Sequence, residues 1–192
     1  MKNIAVFVSG SGTDMQSIID SIKKGEINGK VVLVIASKNG IYAIERAVKE
    51  GIPYKVFDKS KFDSLDNMDN EILKVLKEYN VDLIVLAGYL NILTKDLVKT
   101  YDKKIINIHP SLIPKHCGKG FYGLKVHKSV IESGDKISGA TVHYVDENTD
   151  TGEIIMQETI PVYDDDTPES LQNRVLDLEH ILLPKAVKKL CE

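Results

Sequence analysis

"VFVSGSGTDMQSIID", residues 6–20, decides the fold. It reads as the end of an apolar, β-branched strand, two glycines around a serine, a hydroxyl residue and then an amphipathic helix. A strand, a glycine turn and a helix N-terminus in that order make a backbone cradle for an anion. A dinucleotide fingerprint needs a third glycine three places after the second, and Met15 stands there. A nucleoside triphosphate loop needs Gly-Lys-Ser/Thr, whereas Gly12 is followed by Thr13 and Asp14. What remains suits a single phosphate, approached closely by Gly10 and Gly12 and faced by Ser11, Thr13 and the first helical amides. The same residues equally fit a ligand-free βα turn capped by Thr13 or Asp14.

Working outward, "IAVFV" (4–8) and "VVLVIA" (31–36) are unbroken apolar runs of the kind buried on both faces of a parallel sheet. Helical spacing over 14–24 and 42–50 follows them, with Gly25 and Gly51 as stops. The alternation continues through "YKVF" (54–57), a helix over 67–79, "DLIVLAG" (82–88), a helix over 94–101 and "KIINIH" (104–109). This predicts a doubly wound, mostly parallel, Rossmann-like α/β sheet with helices on both faces. A helix at 124–133, strands at 138–145 and 153–160 and a helix at 168–190 complete the chain. The two late strands, joined by "DENTDTG", are expected to pair antiparallel, and Pro184 to kink or divide the last helix.

With 192 residues, 43% of them hydrophobic, the chain is expected to form one domain spanning 1–192. Its two cysteines, Cys117 and Cys191, are too few for a disulfide framework or a four-ligand zinc site, which fits a reducing, cytoplasmic setting. No apolar run approaches the roughly 20 residues of a membrane span, and the N-terminus lacks the apolar region of a signal peptide. The net charge of −3 argues against a nucleic-acid partner and leaves small-molecule substrates. Between Asp102 and Glu132 there is no acid, where composition predicts about four. That window carries six lysines with His109, His116 and His127, either a solvated basic face or a funnel for an anionic small molecule.

Inside the window lies "NIHPSLIP", residues 107–114. Asn107 and His109 are two apart on a strand, so both point to one side, and they fall at its carboxyl end, where open α/β sheets bind ligands. An amide and an imidazole there can stabilise an oxyanion on a carbonyl under attack, and the imidazole can move a proton. Either Pro110 or Pro114 could follow a cis bond. His127 reads as a helix-face residue, and His143 as a possible cross-strand surface residue. The spacing of His116, Cys117 and His127 matches no common zinc pattern. A protonated histidine calls for a carboxylate, and Asp146, Glu147, Asp150 and Glu153 are all available; Asp150, with Gly152 just after it, best suits an inward turn.

"VSGSGTDMQSII", "LAGYLNIL", "INIHPSLIP", "GATVHYVDENTDTGEII" and "LEHILLPKAV" occur in the order and spacing of the folate-dependent phosphoribosylglycinamide formyltransferases of purine synthesis, which the chain resembles over about residues 3–187. The resemblance implies the formyltransferase fold, with a nucleotide-binding half at about 1–100 and a catalytic and folate-binding half at about 101–192, working as a monomer or homodimer. It implies that 10-formyltetrahydrofolate, as co-substrate, gives its formyl group to the glycine amine of glycinamide ribonucleotide, without a metal. Asn107 and His109 would hold the oxyanion and Asp150 would support His109. Gly12, Thr13, Asp14 and Glu179 would bind the ribonucleotide; Leu90, Asn91, Ile92, Leu93, Asn107, Val145 and Asp146 would bind the folate. A formyltetrahydrofolate hydrolase would use the same three catalytic groups with water as acceptor, and a silent binding protein would bind without transfer. Three features depart from the family pattern. Asp14 replaces the usual asparagine, Leu65 and Asn91 replace arginines on the folate side, and "KHCGKGFYGLKVH" differs from the commonest form. Lys115 and Lys119 are the candidates to replace those arginines.

Overall fold

The computed structural model describes all 192 residues. In chain order the elements are β1 (Lys2–Val8), α1 (Thr13–Lys23), β2 (Gly29–Ala36), α2 (Tyr42–Lys49), β3 (Tyr54–Val56), α3 (Leu65–Glu78), β4 (Leu83–Leu86), α4 (Lys95–Thr100), β5 (Ile105–His109), α5 (Leu124–Glu132), β6 (Ile137–Tyr144), β7 (Ile154–Pro161) and α6 (Pro168–Cys191). Seven strands form one sheet in the order β3-β2-β1-β4-β5-β6-β7. The first five are parallel, and β6 and β7 add on antiparallel, in line with the alternation and the short connection read from the sequence.

Both faces of the sheet are buried, and β1 shows why. Ile4, Val6 and Val8 enter a core shared with α1, α2, α5 and α6, while Ala5 and Phe7 enter a second core under α3 and α4. Strand residues alternate between faces, so a continuous apolar run is what a strand covered on both sides requires. Local capping starts the helices on the second face and at the C-terminus. Ser64 Oγ accepts from Asn67 N–H at the head of α3, Thr94 Oγ1 from Leu97 N–H at α4, and Thr167 and Ser170 form a reciprocal capping box at α6.

Pro184 does not divide the last helix: α6 runs unbroken through it for 24 residues. The lost i−4 hydrogen bond is outweighed by the apolar burial around it, where Leu182, Leu183, Pro184, Ala186 and Val187 are all in the core. The cis bond precedes Pro114.

The topology fixes where ligands can go. Chain order reverses at β1, which has β2 on one side and β4 on the other, so a crevice opens at the carboxyl ends of these strands. Into it project the glycine turn after β1, the loop 87–94 after β4 and the end of β5, while the loop 145–153 leaves β6 beside the amino end of β5 and folds back so that Asp150 reaches His109.

Candidate active site

The glycine turn is shaped by what α2 does to it. Gly12 has φ 73°, and a Cβ built on it would lie 2.7 Å from Ala43 Cβ, so only glycine fits. Ala43 N–H donates to the Gly10 carbonyl at 3.1 Å, and Arg46 Nε donates to the Ser11 carbonyl at 2.9 Å. The turn's carbonyls are thus consumed by α2. The first-turn N–H groups of α1 meet no capping side chain, which corrects the expectation that Thr13 or Asp14 caps: left-handed Gly12 occupies the cap position. Unspent donors at a helix N-terminus are what a phosphate uses.

Asp14 turns away from that N-terminus toward α6. Its Oδ1 lies 3.6 Å from His180 Nε2, beyond hydrogen-bond range, and both atoms are buried without a partner. Burial raises the Asp14 carboxyl to about 6. Burial, and then the charge of Asp14, push the neighbouring Glu179 well above the usual carboxylate range, while burial lowers His180. Two carboxyls in one dry space cannot both ionise cheaply, and both are raised above the usual carboxylate range.

On the loop 87–94, Leu90 and Ile92 are 60% and 62% exposed, a cost that an apolar ligand would recover. Leu93 and Val145 pack instead against the second core. Asn91 Nδ2 donates to Tyr89 Oη at 3.4 Å, and burial pushes the Tyr89 hydroxyl up to about 12. Two bonds hold the loop: Thr94 N–H to buried Asp69 Oδ2 at 2.6 Å, and Leu90 N–H to Ser9 Oγ at 2.9 Å. The carboxylate of Asp146 is spent within its own loop on Asn148 N–H and Thr151 Oγ1. Lys115 is engaged too, with its ammonium 2.9 Å from Asp135 Oδ1.

The densest chemistry lies at the end of β5. The antiparallel register sets Asn107 opposite His143 and His109 opposite Thr141. Asn107 Nδ2 is 3.1 Å from His143 Nε2, and His143 Nδ1 is 2.8 Å from the Tyr144 carbonyl. A carbonyl only accepts, so Nδ1 carries the proton and Nε2 accepts from the Asn107 amide. His109 Nε2 is 3.0 Å from the His116 carbonyl, so by the same logic Nε2 donates, leaving Nδ1 as the free edge. That edge faces Asp150 Oδ2 at 3.6 Å, while Asp150 Oδ1 is 3.6 Å from His143 Nε2. Gly118 N–H donates to Asp150 Oδ2 at 2.9 Å.

Asp150 reaches this position through a strained loop. Its φ is +57°, in the left-handed region, and two residues on a Cβ at Gly152 would lie 1.8 Å from the Tyr144 carbonyl oxygen. Burial pushes the Asp150 carboxyl up, but the charge of His109 and the Gly118 N–H hold it below the usual carboxylate range. Burial pulls His109 down, against the His116 carbonyl and Asp150, and burial wins. The site therefore contains an anionic carboxylate and an imidazole that gains a proton most readily when an anion forms at its Nδ1 edge.

The structure brings Asn107, His109 and Asp150 together, and adds His143, which the sequence left as a surface candidate and which is 2% exposed. Its alternation with Thr141 was visible, but only the β5–β6 register turns that alternation toward Asn107. His127 lies buried on α5, where burial lowers it to about 4. No group of three His, Cys, Asp or Glu side chains is arranged to hold a metal ion.

A formyl transferase family model matches residues 2–187, and the chain belongs to that family. It is 45% identical over 192 residues to the chloroplastic phosphoribosylglycinamide formyltransferase of Arabidopsis thaliana, covering 100% of this chain and 66% of that protein. It is 40% identical over 188 residues to the phosphoribosylglycinamide formyltransferase of Haemophilus influenzae, covering 98% of this chain and 86% of the relative. The crystal structure of glycinamide ribonucleotide transformylase 1 from Geobacillus kaustophilus matches with a TM-score of 0.94 at 38% identity, covering 100% of both chains. The chain thus spans less than two thirds, by a narrow margin, of the Arabidopsis protein's length.

Proposed function

We propose that this chain transfers the formyl group of 10-formyltetrahydrofolate to the glycine amine of glycinamide ribonucleotide. The carrying observation is that Asn107, the His109 Nδ1 edge and Asp150 bound one space, beside a glycine turn whose helix amides are unspent. Relatives named for this reaction cover nearly the full chain.

In this reading the ribonucleotide phosphate lies on Gly12 and the amides of Thr13 and Asp14, and Glu179 hydrogen-bonds the ribose. The pterin lies on the loop of Leu90, Asn91, Ile92 and Leu93, beside Val145 and the backbone of Asp146. Lys119 meets the folate carboxylates, since Lys115 is paired with Asp135. The substrates thus span the two halves of the chain, 1–100 and 101–192, which act as one unit. The reading calls for no metal, because Asn107 and His109 supply the charge stabilisation at the reacting carbonyl.

The amine attacks the formyl carbon, forming a C–N bond as the carbonyl π pair moves to oxygen. Asn107 Nδ2 and protonated His109 Nδ1 donate to that oxygen, and Asp150 stabilises the imidazolium. The amine's proton passes by way of Asp150 to the folate N10, whose bond to the formyl carbon then breaks. The products are formylglycinamide ribonucleotide and tetrahydrofolate. His109 and Asp150 share one proton in the productive state, so their titration belongs to the pair.

The test is a spectroscopic formyl-transfer assay on wild type and His109→Ala, with and without glycinamide ribonucleotide. Turnover that requires the ribonucleotide and collapses in the variant supports the reading. Formate release indifferent to ribonucleotide assigns the hydrolase instead, and folate binding without turnover overturns catalysis altogether.

A further inference from the structure

His109 owes its orientation to a backbone carbonyl, and that carbonyl belongs to a residue held in an unusual way. His116 has φ +52°, a left-handed backbone that a residue with a Cβ adopts only at a cost. Its side chain is fixed at both nitrogens: Nδ1 lies 2.8 Å from Ser129 Oγ on α5, and Nε2 lies 2.9 Å from Asp135 Oδ2 in the turn after α5. A carboxylate only accepts, so Nε2 carries the proton and Nδ1 accepts from the serine hydroxyl. Lys115, the preceding residue, closes on the same carboxylate with contacts of 2.9 and 3.1 Å. The side chain is nearly enclosed, 12% exposed, while the loop around it carries three positive-φ glycines, Gly118, Gly120 and Gly123. His116 is thus the residue of this glycine-rich loop whose side chain is held from two sides, and its carbonyl meets His109 Nε2.

We propose that His116 is a positioning residue: clamped between Ser129 and Asp135, it holds its carbonyl on His109 Nε2 and so commits the Nδ1 edge of His109 to Asp150 and the reacting oxygen. The inference deepens the formyl-transfer reading and, for its kinetic part, rests on it. Without the clamp the neighbouring contacts, Ser111 Oγ to the Lys115 carbonyl and Gly118 N–H to Asp150, remain, but nothing fixes the left-handed backbone of His116 itself. His109 then loses the acceptor that fixes its tautomer, and Nε2 and Nδ1 compete for the single proton of the neutral ring.

The closing experiment has two readouts. The first is nitrogen-15 NMR of the His109 ring in wild type, His116→Phe and Asp135→Ala, which does not depend on turnover. The proposal expects one neutral tautomer, protonated at Nε2, in wild type and a mixture in both variants. Asp135→Asn, whose amide oxygen still accepts from His116, is expected to restore the single tautomer. The second is formyl transfer against pH. His116→Phe is expected to lower kcat about tenfold with KM for both substrates held within about twofold. The alkaline limb of the profile is expected to move to lower pH, because the carbonyl that favours the imidazolium is no longer fixed. The other groups facing His109, namely Asp150, His143 and His127, are unchanged in these variants. A single Nε2-protonated tautomer in folded His116→Phe and Asp135→Ala overturns the proposal, as does an unshifted pH limb with normal kcat. If wild type shows the tautomer pattern but no formyl transfer, the functional reading fails and the clamp stands. If His116→Phe does not fold, Ser129→Ala and Asp135→Ala carry the same test from the partner side.

Discussion

The two ends of the crevice handle buried charge in opposite ways. At the end of β5 the two groups that meet have partners of opposite character: His109 sits between a carbonyl and a carboxylate, and Asp150 between two imidazoles and an N–H. Between α1 and α6, the charge of Asp14 raises the Glu179 carboxyl further, and Asp14 Oδ1 and His180 Nε2 are left without partners. Under the proposed formyl transfer, the first end would be preorganised for an anion that exists only briefly. The second is a store of unmet hydrogen-bonding capacity, which polar hydroxyls of a ligand would satisfy.

The sharpest way to break this contrast is at the satisfied end. Removing a donor there, by His109→Ala or Asn107→Ala, is expected to lower kcat by about 10²- to 10³-fold with little change in KM, since the lost bond strengthens only as charge develops on the oxygen. Steady-state kinetics check this, and near-normal turnover in either variant would remove that residue from the mechanism. Asp150→Asn is expected to cost about 10- to 100-fold. It carries a sign as well. Asp150 favours the charged form of His109, so its neutralisation lowers the histidine's pKa and moves the alkaline fall in kcat/KM to lower pH. An unmoved profile would mean that the two groups do not titrate together.

At the other end Gly12→Ala is expected to raise KM for the ribonucleotide about tenfold or more while leaving folate affinity near normal, because the added methyl collides with Ala43 and displaces the helix amides. Isothermal titration with each ligand separates the two effects. Asp14→Asn is the smallest change and runs in the favourable direction. The folded-state pKa of about 6 lies above the 3.8 of a free aspartate, so the folded chain binds this proton more tightly than the unfolded one. The associated stability is full below the unfolded value and is lost as pH rises through about 6. The variant removes that loss and is expected to gain about 1–3 kcal/mol at pH 7, with a flatter dependence between about pH 4 and 6. Denaturant unfolding at pH 5 and pH 7.5 measures it, and an equal gain at both would mean that the carboxyl is not strained by ionisation.

Much of this was legible in the chain because it was local. Unbroken apolar runs marked the parallel strands, and the pairing of Asn107 with His109 followed from a two-residue repeat. What was not legible depended on contacts between distant segments. His143 became a site residue through the register of β5 against β6, and Asp14 became buried through the packing of α1 on α6. The side chain of His116, set among lysines in a basic window, gave no local sign that Ser129 and Asp135 would meet it from both sides. Pro184 misled because a rule for isolated helices was applied to one whose surroundings hold it.

The bond from Leu90 N–H to Ser9 Oγ joins the loop that would carry the pterin to the strand that feeds the glycine turn. Thermodynamic reciprocity then applies: any factor by which the ribonucleotide changes folate affinity is returned by folate on the ribonucleotide. A single uncharged hydrogen bond is worth about 0.5–1.5 kcal/mol, so cooperativity carried by this link is limited to roughly tenfold.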